Sequence, residues 1–334
     1  MPSSTVSTFD DPDAYHSTIR ASGVRGIITS RGNFTAELTR IDLHRLWIQR
    51  SYESLPEVIK FASSGQRIVI FFAIDPSQAV IHLNGVELPQ HDIITWGAGL
   101  PRHLRSSAAF RWGAMSLPQD DLIAAGSAII GSELRAPTFA RPIRPPAPLL
   151  SRLRSLHEAA GHLAKTAPDI LANPEVGRAI ERELVDVMVH CLSGGEEIDR
   201  GRAHRHHLEA IRRLERVLEA NPDRTFYSGE LCSAAGVSDR TLRVCCQEHL
   251  GMSPKRYLWL RRMHLARRAL RMADRATATV TEIATNYGFW EFGRFSVGYR
   301  SLFGESPSTT LRRPPDDPRP QKIIGSPWQL PESA

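Results

Sequence analysis

Cysteine, lysine and long apolar runs are all scarce in this 334-residue chain. Four cysteines (Cys191, Cys232, Cys245, Cys246) are too few for a disulfide scaffold, and none forms the Cys-x-x-Cys pair of a zinc ribbon. The longest apolar stretch, Ile68 to Ile74, falls far short of the roughly 20 residues that span a bilayer. The opening residues lack the basic start and apolar core of a secretory signal. Secreted and membrane-spanning classes drop out, and a cytoplasmic location with no membrane partner is expected. Among 42 basic residues only Lys60, Lys165, Lys255 and Lys322 are lysine. Arginine's planar fork donates two parallel hydrogen bonds, which suits phosphate and guanine.

Charge is unevenly placed. Residues 204–314 carry 19 Arg/Lys against 11 Asp/Glu, a net of +8, while the rest of the chain nets −2. A basic C-terminal third is what a polyanion partner requires.

The length implies about two domains. Residues 25–118 read as strands: Phe34, Ala36 and Leu38 alternate with polar neighbours, and Asn84-Gly85 is a two-residue hairpin signal because both turn positions need φ > 0. Short strands separated by turns predict a small β-barrel or jelly roll. The proline-rich stretch 141–148 closes it. Two helices follow. One carries the stripe Leu149, Leu153, Leu156, Ala160, Leu163. The other starts at Asn173-Pro174, carries Val176, Ile180, Leu184, Val187, Cys191 and stops at Gly194-Gly195. Two readings of this pair stay open, an intramolecular hairpin or a dimer interface.

The segment 231–254 is repeated at 283–307. Ala235-Gly236-Val237 aligns with Tyr287-Gly288-Phe289, Leu242 with Phe295, and Gly251-Met-Ser-Pro254 with Gly304-Glu-Ser-Pro307. Each copy reads as helix, tight turn at a glycine, helix: a helix-turn-helix. Ser238 can cap the helix starting at Asp239, and Thr279 to Glu282 forms a capping box whose helix N-terminus can face a phosphate. A helix from Lys255 to Met272 joins the copies, with Trp259, Met263, Ala266 and Leu270 on one stripe and arginines on the other faces. In the first recognition helix Leu242 and Cys246 face inward. That leaves Ser238, Arg240, Thr241, Arg243 and Val244 for DNA. In the second motif the candidates are Thr279, Gly293, Arg294, Ser296 and Val297.

The spacing of Tyr257, Arg262, Met263, Ala266 and Leu270 is matched by a family's linker helix, and its second motif by Ile283-Ala284, Gly288-Phe289, Phe295, Phe303-Gly304 and Ser306-Pro307-Ser308. On these residues 205–313 resemble the DNA-binding domain of the AraC/XylS family of bacterial transcription regulators. The resemblance implies a regulator, usually an activator, with an N-terminal sensing or dimerising domain. Residues 291–295 depart from the family by carrying Gly293 and Arg294. The N-terminal part is only loosely similar to the family's cupin-like sensor domains.

The expected fold class is therefore α+β in two domains: a cupin-like small barrel with a helical pair, then an all-α domain with two helix-turn-helix motifs. The expected boundaries are a flexible N-terminus 1–20, a regulatory β-domain 21–145, a helical pair 146–193 with a homodimer as one option, a linker 194–203, the DNA-binding domain 204–313 and a disordered tail 314–334. The expected partners are double-stranded promoter DNA, RNA polymerase and a small-molecule effector. No enzyme activity, catalytic residue, cofactor or metal is expected. His204-Arg-His-His207 has no cysteine or acid beside it, and His82, His91 and His103 lack the His-x-His and glutamate of cupin metal sites. Cys232, Cys245 and Cys246 read as core. Trp47, Trp96 and Trp112 read first as core and second as the wall of an effector pocket. Two alternatives remain beside this reading: control by protein partners without a ligand, and a cupin-type metalloenzyme with a DNA-binding appendage.

Overall fold

A computed structural model describes residues 1–63, 66–99, 101–197 and 201–313. The expected tail and part of the expected linker lie outside these residues. The chain begins β1 (Ser3–Phe9), α1 (Pro12–Thr18), β2 (Ser22–Ile28), β3 (Ala36–Asp42), β4 (Trp47–Glu53), β5 (Glu57–Ala62) and β6 (Arg67–Ala73). It continues β7 (Ile81–Leu83), β8 (Val86–Leu88), β9 (Ile93–Trp96), β10 (Arg102–Arg105), β11 (Phe110–Pro118), α2 (Gln119–Ile130) and β12 (Arg141–Arg144). Then come α3 (Ala147–Thr166), α4 (Pro168–Ala172), α5 (Pro174–Ser193), β13 (Glu196–Glu197) and α6 (Gly201–Ala220). The C-terminal helices are α7 (Ser228–Ala235), α8 (Asp239–Leu250), α9 (Pro254–Met272), α10 (Val280–Asn286), α11 (Phe292–Phe303) and α12 (Pro307–Arg312).

The strands form two open antiparallel sheets, with orders β1-β3-β4-β11-β6-β9-β12-β13 and β2-β5-β10-β7-β8. Of the small barrel or jelly roll expected, the structure has the two-sheet form: among the described residues neither sheet pairs its own edges, so the sheets face each other as a sandwich and no barrel closes. One core fills the gap between the sheets, with Leu38, Phe71, Trp96, Phe110 and Trp112 from the larger and Ile59, Leu83, Leu88 and Leu104 from the smaller. Asn84 and Gly85 take φ of 52° and 77°, the left-handed pair that the hairpin demands.

The expected flexible residues 1–20 are instead structured. β1 pairs with β3 in register from Ser3↔Asp42 to Phe9↔Ala36, and Tyr15 and His16 of α1 are buried. β1 is an edge strand with five Ser/Thr among seven residues, so it carries no apolar alternation to read. Within the expected linker, β13 pairs with β12 and α6 begins at Gly201.

The outer face of the large sheet is covered by helices. Ile48, Ile70, Phe72, Ile93 and Met115 pack against Leu150, Leu153, Ala160, Leu184, Val187 and Cys191. Asn173 caps α5, accepting from the Glu175 and Val176 N–H groups at 2.9 and 3.4 Å, with Pro174 at the first helical position. The apolar stripes of α3 and α5 are thus satisfied within the chain, which is the intramolecular alternative.

The opposite outer face, on the small sheet, receives the C-terminal helices: Ile27 and Val58 join their core. The contact is polar at its edge. Arg267 lies 6% exposed against Asp11, itself 6% exposed, and reaches Asp13 at 3.1 Å. Arg268 Nε meets Asp13 at 2.6 Å, and Arg271 pairs with Asp11. Lys60 reaches Glu219 at 2.7 Å. These α9 arginines thus reach across to acids of the sandwich.

Inside the sandwich, at the α1 end, two fully buried carboxyls stand together. Glu53 accepts from Trp112 Nε1 at 2.7 Å and from the Tyr15 hydroxyl, and Glu57 meets His16 Nε2 at 2.8 Å. Burial pushes Glu57 up to about 7, and burial with the Glu57 charge holds Glu53 well above the carboxylate range. Burial pushes His16 down to about 4.

Asp11→Asn preserves the cap that Asp11 offers the Ala14 N–H at 2.9 Å, since asparagine caps as well as aspartate. It leaves buried arginines short of charge, and an expected loss of about 3 kcal/mol is read by chemical denaturation. An unchanged midpoint would show that the Asp11 ion pairs contribute nothing. The raised Glu57 pKa contributes stability that is complete below the unfolded carboxylate range and lost as pH rises through about 7. His16 acts in the opposite sense, and its contribution is already nearly complete above its ordinary 6.5. Between pH 6 and 8 the wild type should therefore lose stability relative to Glu57→Gln. Parallel pH profiles for the two proteins would overturn this.

Candidate nucleic-acid interface

Two helix-turn-helix units share one core with α9. In the first, α7 ends where Gly236 takes φ 68° and donates its N–H to Cys232 O at 2.8 Å. Ser238 caps α8 by accepting from Thr241 N at 3.3 Å. Leu242, Cys245, Cys246 and Leu250 turn inward and are buried. Ser238, Arg240, Arg243 and Val244 are exposed and Thr241 is half-exposed. Arg243 pairs with Asp239 at 2.9 Å, one helical turn earlier.

The second unit repeats the plan. Thr279, exposed, caps α10 by accepting from Glu282 N at 3.1 Å. Gly288 turns the chain at φ 73°, and Phe289 N returns to Ala284 O at 2.9 Å. Phe295, Tyr299 and Leu302 of α11 are buried, whereas Gly293, Arg294, Ser296 and Val297 are exposed. Arg294 is paired with Glu291 at 2.8 Å. Unlike α8, α11 has no side-chain cap, so its first N–H groups are left for another acceptor. Nothing lies within 4 Å of where a Cβ on Gly293 would sit, which leaves the backbone there open to close approach.

Trp290, 72% exposed, and Phe292, 40% exposed, flank the same helix start. They are absent from the candidates read from sequence. The available signal was their position outside the Phe295–Tyr299–Leu302 stripe.

Helix α9 holds the two units. Tyr257, Leu260, Met263, Ala266 and Leu270 are buried between them in a single core that also contains Leu242, Cys246, Ile283 and Phe295. Nineteen residues make a rod roughly 28 Å long at about 1.5 Å per residue. The Tyr257 hydroxyl donates to Glu215 at 2.7 Å, anchoring the rod to α6. Arg262 donates to Gly288 O at 3.4 Å with its guanidinium over the Phe289 ring, so it braces the second turn from within the domain.

Burial pushes the Cys245 thiol up to about 11 and Cys246 up to about 12, so both sit protonated in the core. Trp47, Trp96 and Trp112 all line one small cavity of about 70 Å³ in the sandwich. Trp96 and Trp112 are 3% and 5% exposed and part of the core itself. A larger cavity of about 320 Å³ lies between the domains, lined by Lys60, His103 and Val58 from the sheet and Tyr257, Arg261 and His264 from α9. Among the described residues no helix is long and apolar enough to cross a membrane.

A methyl group at position 288 would sit 2.6 Å from Thr225 Oγ1, on a backbone that side chains rarely adopt. Gly288→Ala should destabilise by about 1–2 kcal/mol and lower the unfolding temperature by several degrees. An unchanged unfolding temperature would show that this turn does not require glycine.

Residues 231–313 match the family described as "Helix-turn-helix domain". The chain is 38% identical over 104 residues to "XylDLEGF operon transcriptional activator 1" of Pseudomonas putida, covering 31% of each. It is 43% identical over 98 residues to "Probable thc operon regulatory protein" of Rhodococcus erythropolis, covering 29% of this chain and 30% of that one. A solved structure of a probable AraC family transcriptional regulator from Rhodopseudomonas palustris is 36% identical, covering 31% of this chain and 94% of that one, with a TM-score of 0.28. The match to the two curated relatives spans about a third of their length. Both curated relatives are regulators by name. Residues 231–313 match a helix-turn-helix domain, and the similarity to these transcription regulators lies in the same third of the chain.

Proposed function

We propose that the protein is a sequence-specific transcription regulator that reads a bipartite promoter site, one block with α8 and one with α11. The observation that carries this is the exposure of two recognition helices on one rigid core. A rod of roughly 28 Å suits two adjacent major grooves on one face, about 34 Å apart along the duplex. One monomer then suffices for both blocks, which agrees with α3 and α5 packing onto their own sheet. Arg240, Thr241, Arg243 and Val244 face the first block, with Ser238 at the phosphate-facing helix start. Gly293, Arg294, Ser296 and Val297 face the second, with Thr279 at the start of α10. The first relative named above is an activator by name, which supports activation and recruitment of RNA polymerase.

The sandwich is the regulatory part in this reading. A ligand changes DNA binding only if it prefers one arrangement of the two domains. The cavity of about 320 Å³ between them is within the size range of small-molecule sites and takes walls from both. The 70 Å³ space between the tryptophans is well below that range, so effector binding is assigned to the interdomain cavity and the tryptophans to the core.

The test is selection of random DNA by the full chain at fixed moderate salt. Enrichment of two blocks about 10 bp apart is expected; enrichment of a single block would overturn the bipartite reading. Binding without enrichment that fades as salt rises would reduce the domain to a backbone binder. On the selected site, Arg240→Ala should relax preference at one base position of the first block, and Arg294→Ala at one of the second. Each should cost ~1–3 kcal/mol of discrimination. Equal loss on every sequence would assign these arginines to phosphate instead.

A further inference from the structure

The histidine run at the start of α6 lacks an acid beside it in sequence, but the fold supplies one 41 residues further on. His204 Nδ1 lies 2.9 Å from Glu248 Oε1, and His207 Nδ1 lies 2.6 Å from Glu248 Oε2. The next residue of α8, His249, stacks on His204 with ring centroids 5.3 Å apart. Its Nε2 is 4.0 Å from the same Glu248 Oε1. One nitrogen from His204, one oxygen from Glu248 and one nitrogen from His249 all fall within 4.8 Å of one another.

His249 supplies the independent observation. It is fully buried, yet neither ring nitrogen has a hydrogen-bond partner among the described residues. Buried imidazoles are ordinarily satisfied by protein or by something bound. Here the ring borders a carboxylate and a second imidazole. The β7–β8 turn closes over them: a Cβ on Gly85 would stand 3.1 Å from Glu248 Cγ and 3.2 Å from the His249 ring.

We propose that His204, Glu248 and His249 bind a divalent late transition metal ion, zinc first among them. Two imidazoles and a carboxylate with no thiolate suit Zn²⁺, Ni²⁺, Co²⁺ or Cu²⁺ and disfavour Cu⁺. Zinc bound at about 2.0–2.2 Å in tetrahedral geometry sets its donor atoms about 3.4 Å apart. The observed 2.9 and 4.0 Å separations lie on either side of that value, so modest side-chain shifts make the site. His207, held by the other carboxylate oxygen, orients Glu248 without itself ligating. Three protein donors leave a fourth position for water or an outside ligand. The ion would tie the start of α6 to the C-terminal turn of the first recognition helix, beneath a hairpin of the sandwich. DNA-reading geometry and domain docking would then both respond to metal.

The experiment uses the full chain, without a histidine tag, stripped by chelator and dialysed against micromolar zinc at neutral pH. About one zinc per chain is expected, with a rise in unfolding temperature of several degrees, because an ion that binds only the native state stabilises it. His204→Ala and Glu248→Gln change half-exposed residues and should keep the apo unfolding temperature while losing both the ion and the rise. His249→Ala is avoided because it would empty a buried position. His207→Ala should retain one zinc but weaken it 10–100-fold. Cobalt substitution gives a second readout, with visible bands of tetrahedral strength in the wild type and none in Glu248→Gln. Fewer than a tenth of an equivalent of zinc in the wild type would overturn the proposal. So would binding and stabilisation that persist unchanged in His204→Ala and Glu248→Gln.

Discussion

Everything in the C-terminal third depends on α9 satisfying two different neighbours with two faces. Its apolar face, from Tyr257 to Leu270, is a wall shared by the two helix-turn-helix units in their common core. Its arginine face at 267, 268 and 271 meets Asp11 and Asp13 of the sandwich. A close-packed interior transmits a displacement rather than absorbing it. The angle between α8 and α11 and the seat of the domain on the sheet are therefore set by the same rod. Buried ion pairs are weak sources of net stability because desolvation offsets much of their attraction. Their contribution here is better described as orientation. A domain resting on Ile27 and Val58 alone can slide, whereas three guanidinium groups on two carboxylates allow one placement.

The N-terminal carboxylates also explain why residues 10–13 cannot be treated as a free arm. Asp11 caps α1 and accepts from the C-terminal domain with its other oxygen. Helix α1 in turn buries Tyr15 and His16 against Glu53 and Glu57. A continuous set of polar contacts thus runs from α9 into the middle of the sandwich. It passes through groups that burial has already moved away from their ordinary protonation. A change at either end alters the electrostatic surroundings of the other.

How much of this could be read from the chain follows from the sequence distance of each contact. The doubled helix-turn-helix is legible because glycine turns, caps and inward stripes are local, and Gly236, Ser238, Thr279 and Gly288 announce them within a few residues. Asn84-Gly85 and Asn173-Pro174 are legible for the same reason. The docking interface is not: Asp11 and Arg267 are partners 256 residues apart, and each looks like an ordinary surface charge. Strand β1 is hidden because an edge strand of serine and threonine has no apolar alternation. Strand β12 is hidden because Pro142 sits in a stretch that reads as a spacer. Helix α2 is missed where its apolar residues cluster as Ile-Ala-Ala rather than in a clean stripe. The histidine run fails for the opposite reason, since its residues are visible and its acid is not.

The two recognition helices also differ in how they can discriminate. Arg243 and Arg294 are each held by an acid at the start of their helix, Asp239 and Glu291. An exposed pair of this kind is worth about 0.2–1 kcal/mol, less than a good bidentate contact to guanine at about 1–3 kcal/mol. Base contact therefore outweighs the internal pair only when its geometry is good. An arginine facing the wrong base falls back to its carboxylate, and that carboxylate then repels the phosphates nearby. On the proposed reading, the acid would act against non-cognate DNA, and discrimination would grow without any gain in affinity. In α8 this device sits on a helix whose start is capped. In α11 it sits beside an uncapped start and an open glycine, where the backbone itself can approach a phosphate. The second unit is thus the one in which anchoring and reading compete for the same few residues, and its base preference should be the more sensitive to a shift of α9.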